Sequence, residues 1–438
     1  MIISNFKNLA KNSLRKKALL IAEAGYGAID IKQVVSSKCK VLSINNKDFL
    51  IIKLRGKKEK INLDNFKRIF LVGIGKGSAL ASLTLAKILG KKLTNGIALD
   101  VNKLQTTNYK LQTLVGTHPL PSEQNIIATQ KIIKLTKSLK KDDLLITFIC
   151  GGGSSLLCGL KRELKMSRKI FKELTRAGAN IDELNTVRKH LSEIKGGGLA
   201  KIAYPATIKS LIISDVCGNN LSDVASGPTV YDKTTNEDAK NILKKYSLKS
   251  KDFHFHENPK EKKYFKKVKN ILFVCNQDAV TAMMEKSKEL GFEVKIYSLA
   301  LQGEAMNALW PMIQKNEKGQ VILAAGETTV NFENLPKGKG GRNTETVLGA
   351  LVKIKNLKFK IENSIIMSFT SDGRDNSEAA GAIGDFLTLK TAEKLGMDPR
   401  YFLKQNKSFD FFDKTDDLIY AEKKCFNVAD LMIVLKNE

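Results

Sequence analysis

The sequence predicts an α/β protein built from parallel-sheet units, and three observations carry that expectation. Short apolar runs of strand length, such as 69–72 (IFLV) and 144–150 (LLITFIC), recur along the chain. Several stop in a glycine turn. A helical apolar pattern then follows, which makes the strand–turn–helix unit whose loops gather at one edge of a parallel sheet. At 438 residues there is enough chain for two or three domains with substantial cores.

Hydrophobic content of 42% and charged content of 27% are ordinary for a soluble globular protein, whereas a net charge of +28 is not. Such a charge suits nucleic acid, an anionic membrane or an acidic metabolite. The lysines, however, are spread along the whole chain, with no basic tail and no interleaved aromatics, and Lys, Asn and Ile are abundant together. That pattern reads as a solvated surface with compositional drift, so neither a nucleic-acid nor a membrane partner is expected. No apolar run approaches the ~20 residues of a membrane span. The six cysteines, at 39, 150, 158, 217, 275 and 425, show no CxxC and no paired spacing. Free thiols in a reducing, cytoplasmic setting follow. His254 and His256 form an HxH without an acid or thiol at ligand spacing, and no metal is expected there.

Taken in order, residues 4–26 read as a first helix, ended by Gly25 and Gly27. Strands are expected at 49–54 and 69–72. The second enters Gly75-Lys76-Gly77-Ser78 and then a helix from Ala79 to Leu89. This loop is no P-loop, because Phe70 and Gly77 stand where a Gly and a Ser or Thr are required. It is no GxGxxG either, since Ser78 replaces the last glycine. What remains is a lysine on a glycine turn at a strand end, either a ligand contact or simply exposed. His118 lies in a rigid turn between Gly116 and two prolines, before a helix at 126–139. The run 144–150 reads as a central strand. It ends in Gly151-Gly152-Gly153-Ser154-Ser155, whose N–H groups and hydroxyls suit a small anion; a packing turn is the plainer alternative. Along 185–200 a helix precedes a second glycine loop, and Arg188, His190, Ser192 and Lys195 either line a cleft or cap and solvate the helix. Asp215 follows a strand at 211–214.

From 233 to 269 the chain turns Lys-rich and loses apolar periodicity, and 236–269 is taken as a connection between an N-terminal domain (1–235) and a C-terminal one (270–438). New strands are expected at the start of 270–280, at 293–301, in 321–332 with Glu327 near its end, from 364, and at 431–435. The strand from 364 stops in Ser371-Asp372-Gly373-Arg374-Asp375. A carboxylate pair there suits Mg²⁺ held by acids and phosphate, and equally suits plain Asp-Gly turn chemistry. The stretch 337–346 (KGKGGRNTET) runs Gly338, Gly340 and Gly341 into Arg342, Asn343 and Glu345 before an apolar helix. A glycine loop opening a helix offers N–H groups and a positive dipole end to an anion. Arg342 adds a planar fork matched to phosphate. Only ten of the 73 basic residues are Arg, which favours a bidentate role over a solvated surface loop.

Together these loops resemble the two-domain glycerate 2-kinase family, whose members were often labelled hydroxypyruvate reductase. The resemblance spans nearly the whole chain through IGKGSA (74–79), THPLPSEQN (117–125), CGGGSSLL (150–157), NTVRKHLSEIKGGGLA (185–200), ISDVCGNNLSDVASGPT (213–229), AAGETTV (324–330), GKGGRNTE (338–345) and SDGRDNSEAAGA (371–382). It implies a Rossmann-like N-terminal domain, a smaller C-terminal α/β domain with a mixed sheet, and an active site in the cleft between them. It further implies ATP-dependent, Mg²⁺-assisted phosphorylation of the 2-hydroxyl of D-glycerate. Lys76 and Arg342 fall on the family's catalytic lysine and arginine. Gly75, Gly77, Ser78, Gly152, Gly153, Ser154, Ser155, Arg188, Lys195, Gly340, Gly341 and Asn343 become candidates for holding substrate or phosphate. Asp215, Glu327 and Asp372 become candidates for the metal or for orienting the attacking hydroxyl. A homodimer is left open. An NAD(P)H-dependent hydroxypyruvate reductase is the runner-up, and it lacks a dinucleotide fingerprint; a relative with altered substrate or no catalysis is the third reading. The sequence departs from the family pattern at Asn219 and Asn220, at Asn376 in place of a usual glycine, and at 421–426, where a Thr/Gly-rich loop is expected.

Overall fold

The computed structural model describes residues 1–105, 110–249, 253–331, 338–357 and 361–437. Phe332 and Lys337, at the ends of two stretches read above, lie outside the described residues. The chain forms two compact units: Ile31–Phe273, and Met1–Asp30 together with Val274–Glu438.

In the first of these, β1 (Cys39–Ile44), β2 (Lys47–Leu54) and β3 (Lys57–Asn62) make a small antiparallel sheet of their own. The run 49–54 is therefore a strand, but not one of the parallel sheet. The main sheet contains β4 (Arg68–Ile74), β5 (Leu93–Asp100), β6 (Leu111–Val115), β7 (Asp143–Ile149), β8 (Thr207–Ile213) and β9 (Val268–Val274), in the order β6-β5-β4-β7-β8-β9. The pairs from β6 to β8 are all parallel. From β4 the chain builds outward to β6, then returns to place β7 on the other side of β4. The strand order thus reverses between β4 and β7, and loops at the C-terminal ends of those strands border a natural crevice. All seven residues of β7 are buried, as its unbroken apolar run requires.

The region 236–269 is not a linker. Thr235 opens the helix Asn236–Lys245 with a capping box, its hydroxyl taking the Asp238 N–H. Ala239 and Leu243 from this helix pack with Ile170, Leu174, Leu184 and Val187. Its lysines occupy the solvent face of an amphipathic helix, which is why the composition alone looked linker-like. The NILFVC run likewise closes the first sheet as β9 instead of opening the second.

The other unit has a mixed sheet of β10 (Glu293–Leu301), β11 (Gln320–Gly326), β12 (Ser364–Thr370), β13 (Gly381–Gly384), β14 (Leu418–Ile419) and β15 (Asp430–Lys436). Their order is β10-β11-β15-β12-β13-β14; only β10 and β11 pair in parallel. The last strand of the chain is thus central to its sheet. Helix Arg342–Asn356 buries Val347, Leu348, Leu351 and Ile354 in this unit's core.

The first thirty residues belong here and not with the residues that follow them. Two pieces, Phe6–Leu9 and Ser13–Gly27, replace the single helix expected at 4–26. Asn12 causes the break, since its side chain caps the second piece by accepting the Arg15 N–H. Arg15 is fully buried and donates to Asp385 through Nε and Nη2, both at 2.7 Å, and to Asp417 at 2.6 Å. Tyr26 donates its hydroxyl to the Thr370 carbonyl at 2.9 Å. The divergent segment 421–426 is also held from this side. Glu422 N–H reaches the Ile2 carbonyl at 2.9 Å, and Phe426 N–H the Ile29 carbonyl at 3.0 Å.

Removing one member of a buried ionic cluster leaves the others charged and unpaired, at a cost of about 3–5 kcal/mol. Arg15→Ala is expected to lower stability by that amount, read from denaturant unfolding of the chain's single tryptophan, Trp310, which lies in the same unit. A loss below about 1 kcal/mol would mean that the cluster does not anchor the N-terminal helix.

Candidate active site

The site grows out of the switch point between β4 and β7. After Ile74 the chain turns through Gly75, whose φ of 107° only glycine adopts readily. A side chain is excluded there for a second reason, because a Cβ would lie 2.4 Å from the Cys150 carbonyl oxygen. This close crossing lets the Lys76 N–H donate to the Gly151 carbonyl at 2.9 Å, which ties the β4 loop to the β7 loop. Gly152, at φ 77°, leaves its α-face bare. A Cβ on it would come within 3.2 Å of both Lys76 Cγ and the His118 ring, so the lysine stem and the imidazole cover that face. Next to it, Gly151 leaves room for the carboxylate of Asp215, which a Cβ would meet at 1.8 Å. Lys76, His118, the Gly151–Ser155 loop and Asp215 therefore converge from the ends of β4, β6, β7 and β8.

The hydroxyls continue the arrangement. Ser154 Oγ accepts from Ser226 Oγ at 2.9 Å, and Ser155 Oγ donates to the Pro119 carbonyl at 2.6 Å. Ala225 and Ser226, which press on this loop, hold φ values of 52° and 58°, uncommon for residues with side chains and costly unless the surroundings enforce them. A pocket opens beside Ser154 and Ser155, lined also by Leu120, Phe171, Arg188 and Lys195. Lys195 brings no free charge to it, because its ammonium is buried and paired with Glu163 at 2.8 Å. Arg188 differs. Its guanidinium lies over Phe171 at 5.4 Å, and among the described residues it has no carboxylate partner.

Two sequence expectations are corrected by the same physics. The glycine loop before helix Arg342–Asn356 was read as suiting an anion, and Gly77 and Ser78 before helix Ser78–Leu89 became phosphate candidates through the family resemblance; the protein places its own carboxylate at both helix N-termini. Asp100, at the end of β5, accepts from Ala79 N–H at 3.0 Å and Val101 N–H at 2.7 Å. Ser78 is buried and its Oγ donates to the Leu99 carbonyl at 3.1 Å. Gly77 caps this same filled terminus. Asp375 accepts from the N–H groups of Asn343 and Thr344 at 2.9 and 3.0 Å. It also accepts from Asn343 Nδ2 at 3.2 Å. Gly341 lies against that carboxylate, and Gly340 against Ser408 and Asn406. Ser78, Gly340, Gly341 and Asn343 each pack or bond within the protein in this way. Asp100 and Asp375 were missed as caps because each follows its helix in the chain, by 21 and about 32 residues, and no local pattern announces the pairing.

Arg342 is not bare either. Asp430 grips its Nε at 2.6 Å and Nη2 at 3.2 Å, while Glu327 takes Nη1. Glu327 is therefore a partner of Arg342 in this structure. Asp372 accepts from Thr370 Oγ1 at 3.1 Å and from Arg374 N–H at 3.2 Å, the turn chemistry left open above. Among the described residues, no three His, Cys, Asp or Glu side chains could hold a metal ion.

A parallel sheet that gathers a lysine, a glycine–serine loop and an aspartate at its switch point, with a half-buried arginine lining the pocket beside them, defines an α/β protein of the doubly wound class. Comparison with known proteins makes this particular. Residues 17–255 match the family model of a domain of unknown function, DUF4147, and residues 320–430 that of the MOFRL family. A D-glycerate 2-kinase of Thermotoga maritima is 33% identical over 398 residues, covering 86% of this chain and 92% of that protein. An Agrobacterium vitis protein provisionally named hydroxypyruvate reductase is 34% identical over 387 residues, 84% of this chain and 87% of its own length. The crystal structure of glycerate kinase from Thermotoga maritima, at 29% identity, matches with a TM-score of 0.80 over 97% of this chain and 99% of that one. The chain belongs to the glycerate 2-kinase family. Asn376, standing where the family usually has glycine, takes φ 53°, a conformation Asn tolerates better than most residues, so the turn is kept.

Glu345, on the helix that Arg342 opens, is 5% exposed, and burial pushes its carboxyl up to about 7. Its folded value lies above the unfolded one, near 4.3. It therefore costs nothing below about pH 4, and stability is lost as pH rises through 7. Glu345→Gln, which cannot ionise, is expected to be more stable than wild type at pH 8, by up to about 3 kcal/mol. At pH 4.5 the two should melt together. An equal gap at both pH values would assign the effect to packing.

Proposed function

We propose that this protein is an ATP-dependent kinase that transfers the γ-phosphoryl group to the 2-hydroxyl of D-glycerate, giving 2-phosphoglycerate. The carrying observation is the convergence of Lys76, the Gly151–Ser155 loop and Asp215 at the switch point of the parallel sheet, in a chain of this family. In the transfer, the 2-hydroxyl oxygen bonds to the γ-phosphorus and the bond from that phosphorus to the bridging oxygen breaks. ADP leaves with the electron pair, and the hydroxyl proton passes to water. The transition state is loose, so the protein's task is positioning and neutralising charge.

Lys76 supplies one cation and Arg342 a second. Asp430 fixes the Nε edge of that guanidinium, which leaves the Nη1 edge, now on half-exposed Glu327, for a phosphate oxygen to take over. Mg²⁺ fits as a companion of the nucleotide, since such ions are held by one or two carboxylates plus phosphates. Asp215 is the acid that would meet it, and the ion would spread charge on the β- and γ-phosphates. The reductase reading is disfavoured by Asp100. It sits at the strand end where a dinucleotide's ribose would bind, but it is 3% exposed and spent on the helix N-terminus, where a pyrophosphate would also have to go.

Lys76→Ala and Arg342→Ala should each lower kcat for ADP formation from ATP and D-glycerate by about 10²- to 10³-fold, with circular dichroism unchanged. Turnover that survives both substitutions, or a wild-type enzyme that consumes NADH with hydroxypyruvate instead, would end this reading.

A further inference from the structure

The kinase reading leaves one charge in the pocket without a task, and the following inference rests on that reading. Arg188 sits in the last turn of helix Ile181–His190, where the negative end of the helix compensates part of its charge. Its neighbours on this side are all matched: Lys189 meets Asp232 at 3.4 Å, and Lys195 meets Glu163 at 2.8 Å. Arg188 alone of the three lacks an acid among the described residues. Burial lowers its pKa to about 10, which still leaves it cationic at neutral pH. A half-buried cation without a counter-ion is costly, and the cost is relieved when an anion arrives.

The pocket says which anion. A guanidinium fork is shaped for two oxygens of a planar carboxylate. Ser154, whose Oγ accepts from Ser226, keeps its own proton to donate beside it, whereas Leu120, Leu157 and Phe171 form an apolar wall that suits a short carbon chain. Ser154 belongs to the loop whose Gly152 is covered by Lys76. One five-residue loop thus has Arg188 on one side and the lysine on the other. We propose that Arg188 binds the carboxylate of the hydroxy-acid substrate, and that this anchor selects the hydroxyl on the adjacent carbon for phosphorylation. In a three-carbon acid the 2-hydroxyl is one bond nearer the carboxylate than the 3-hydroxyl, so pinning the carboxylate decides which of them reaches the phosphoryl group.

The test uses full-length wild type, Arg188→Met and Arg188→Lys with ATP and either D-glycerate or its uncharged amide, products being resolved by phosphorus NMR. Arg188→Met is expected to raise the KM for D-glycerate by about 100-fold, as loss of a charge-assisted pair does. The KM for ATP should not move. It should lose the preference for the acid over the amide and release both 2- and 3-phosphorylated products, with Arg188→Lys intermediate. An Arg188→Met enzyme that keeps the wild-type preference and the single product overturns the inference. If wild type makes no ADP with D-glycerate, the kinase reading has failed and the anchor is judged by thermal shift alone. D-Glycerate stabilising wild type but not Arg188→Met supports it; equal shifts, or none, overturn it.

Discussion

A helix N-terminus can satisfy one anion, and in this protein the chain supplies its own. Asp100 occupies the start of helix Ser78–Leu89, and Asp375 the start of Arg342–Asn356. This constraint shapes everything around it. Because the backbone N–H groups there are spent, these two glycine loops serve as mounts for the residues beside them. Lys76 and Arg342 stand on those two mounts. The cost of burying each carboxylate is offset by hydrogen bonds that also fix the direction in which the loop leaves its strand.

The parts legible in the sequence were those where one local pattern had one physical meaning. The apolar run of β7 had to be a central strand, and Gly75 had to take a conformation that other residues avoid. The convergence of Lys76 with the Gly151–Ser155 loop followed from strand ends that share an edge. What could not be read was the pairing of distant residues. Arg15 looked like one more base of an N-terminal helix, since nothing local announces Asp385 and Asp417. The linker-like lysines of 236–245 concealed Ala239 and Leu243, which anchor the buried face of that helix. Nor could the sequence show that Glu327 pairs with Arg342 or that Asp372 takes the Thr370 hydroxyl within its turn.

Ion pairs here divide into those that close on themselves and those left open. Lys195 with Glu163 and Lys189 with Asp232 are buried and mutually satisfied, so they hold the wall of the pocket in one shape. Arg188 is set in that wall with no carboxylate partner among the described residues. Rigid surroundings matter for such a group. A floppy arginine would find water or a neighbouring acid, whereas one clamped over Phe171 keeps its donors aimed at whatever enters.

Met1–Asp30 complete a unit whose other residues, Val274–Glu438, are synthesised only after the whole of Ile31–Phe273. Arg15 and Asp385 are separated by 370 residues. At 5–20 residues per second a ribosome needs roughly 20–75 s to span that interval. During it, Ile31–Phe273 can complete its own sheet while the first helix, with Leu19 and Ile21 uncovered, waits for its acids. Met1–Asp30 are thus made early but find their partners late.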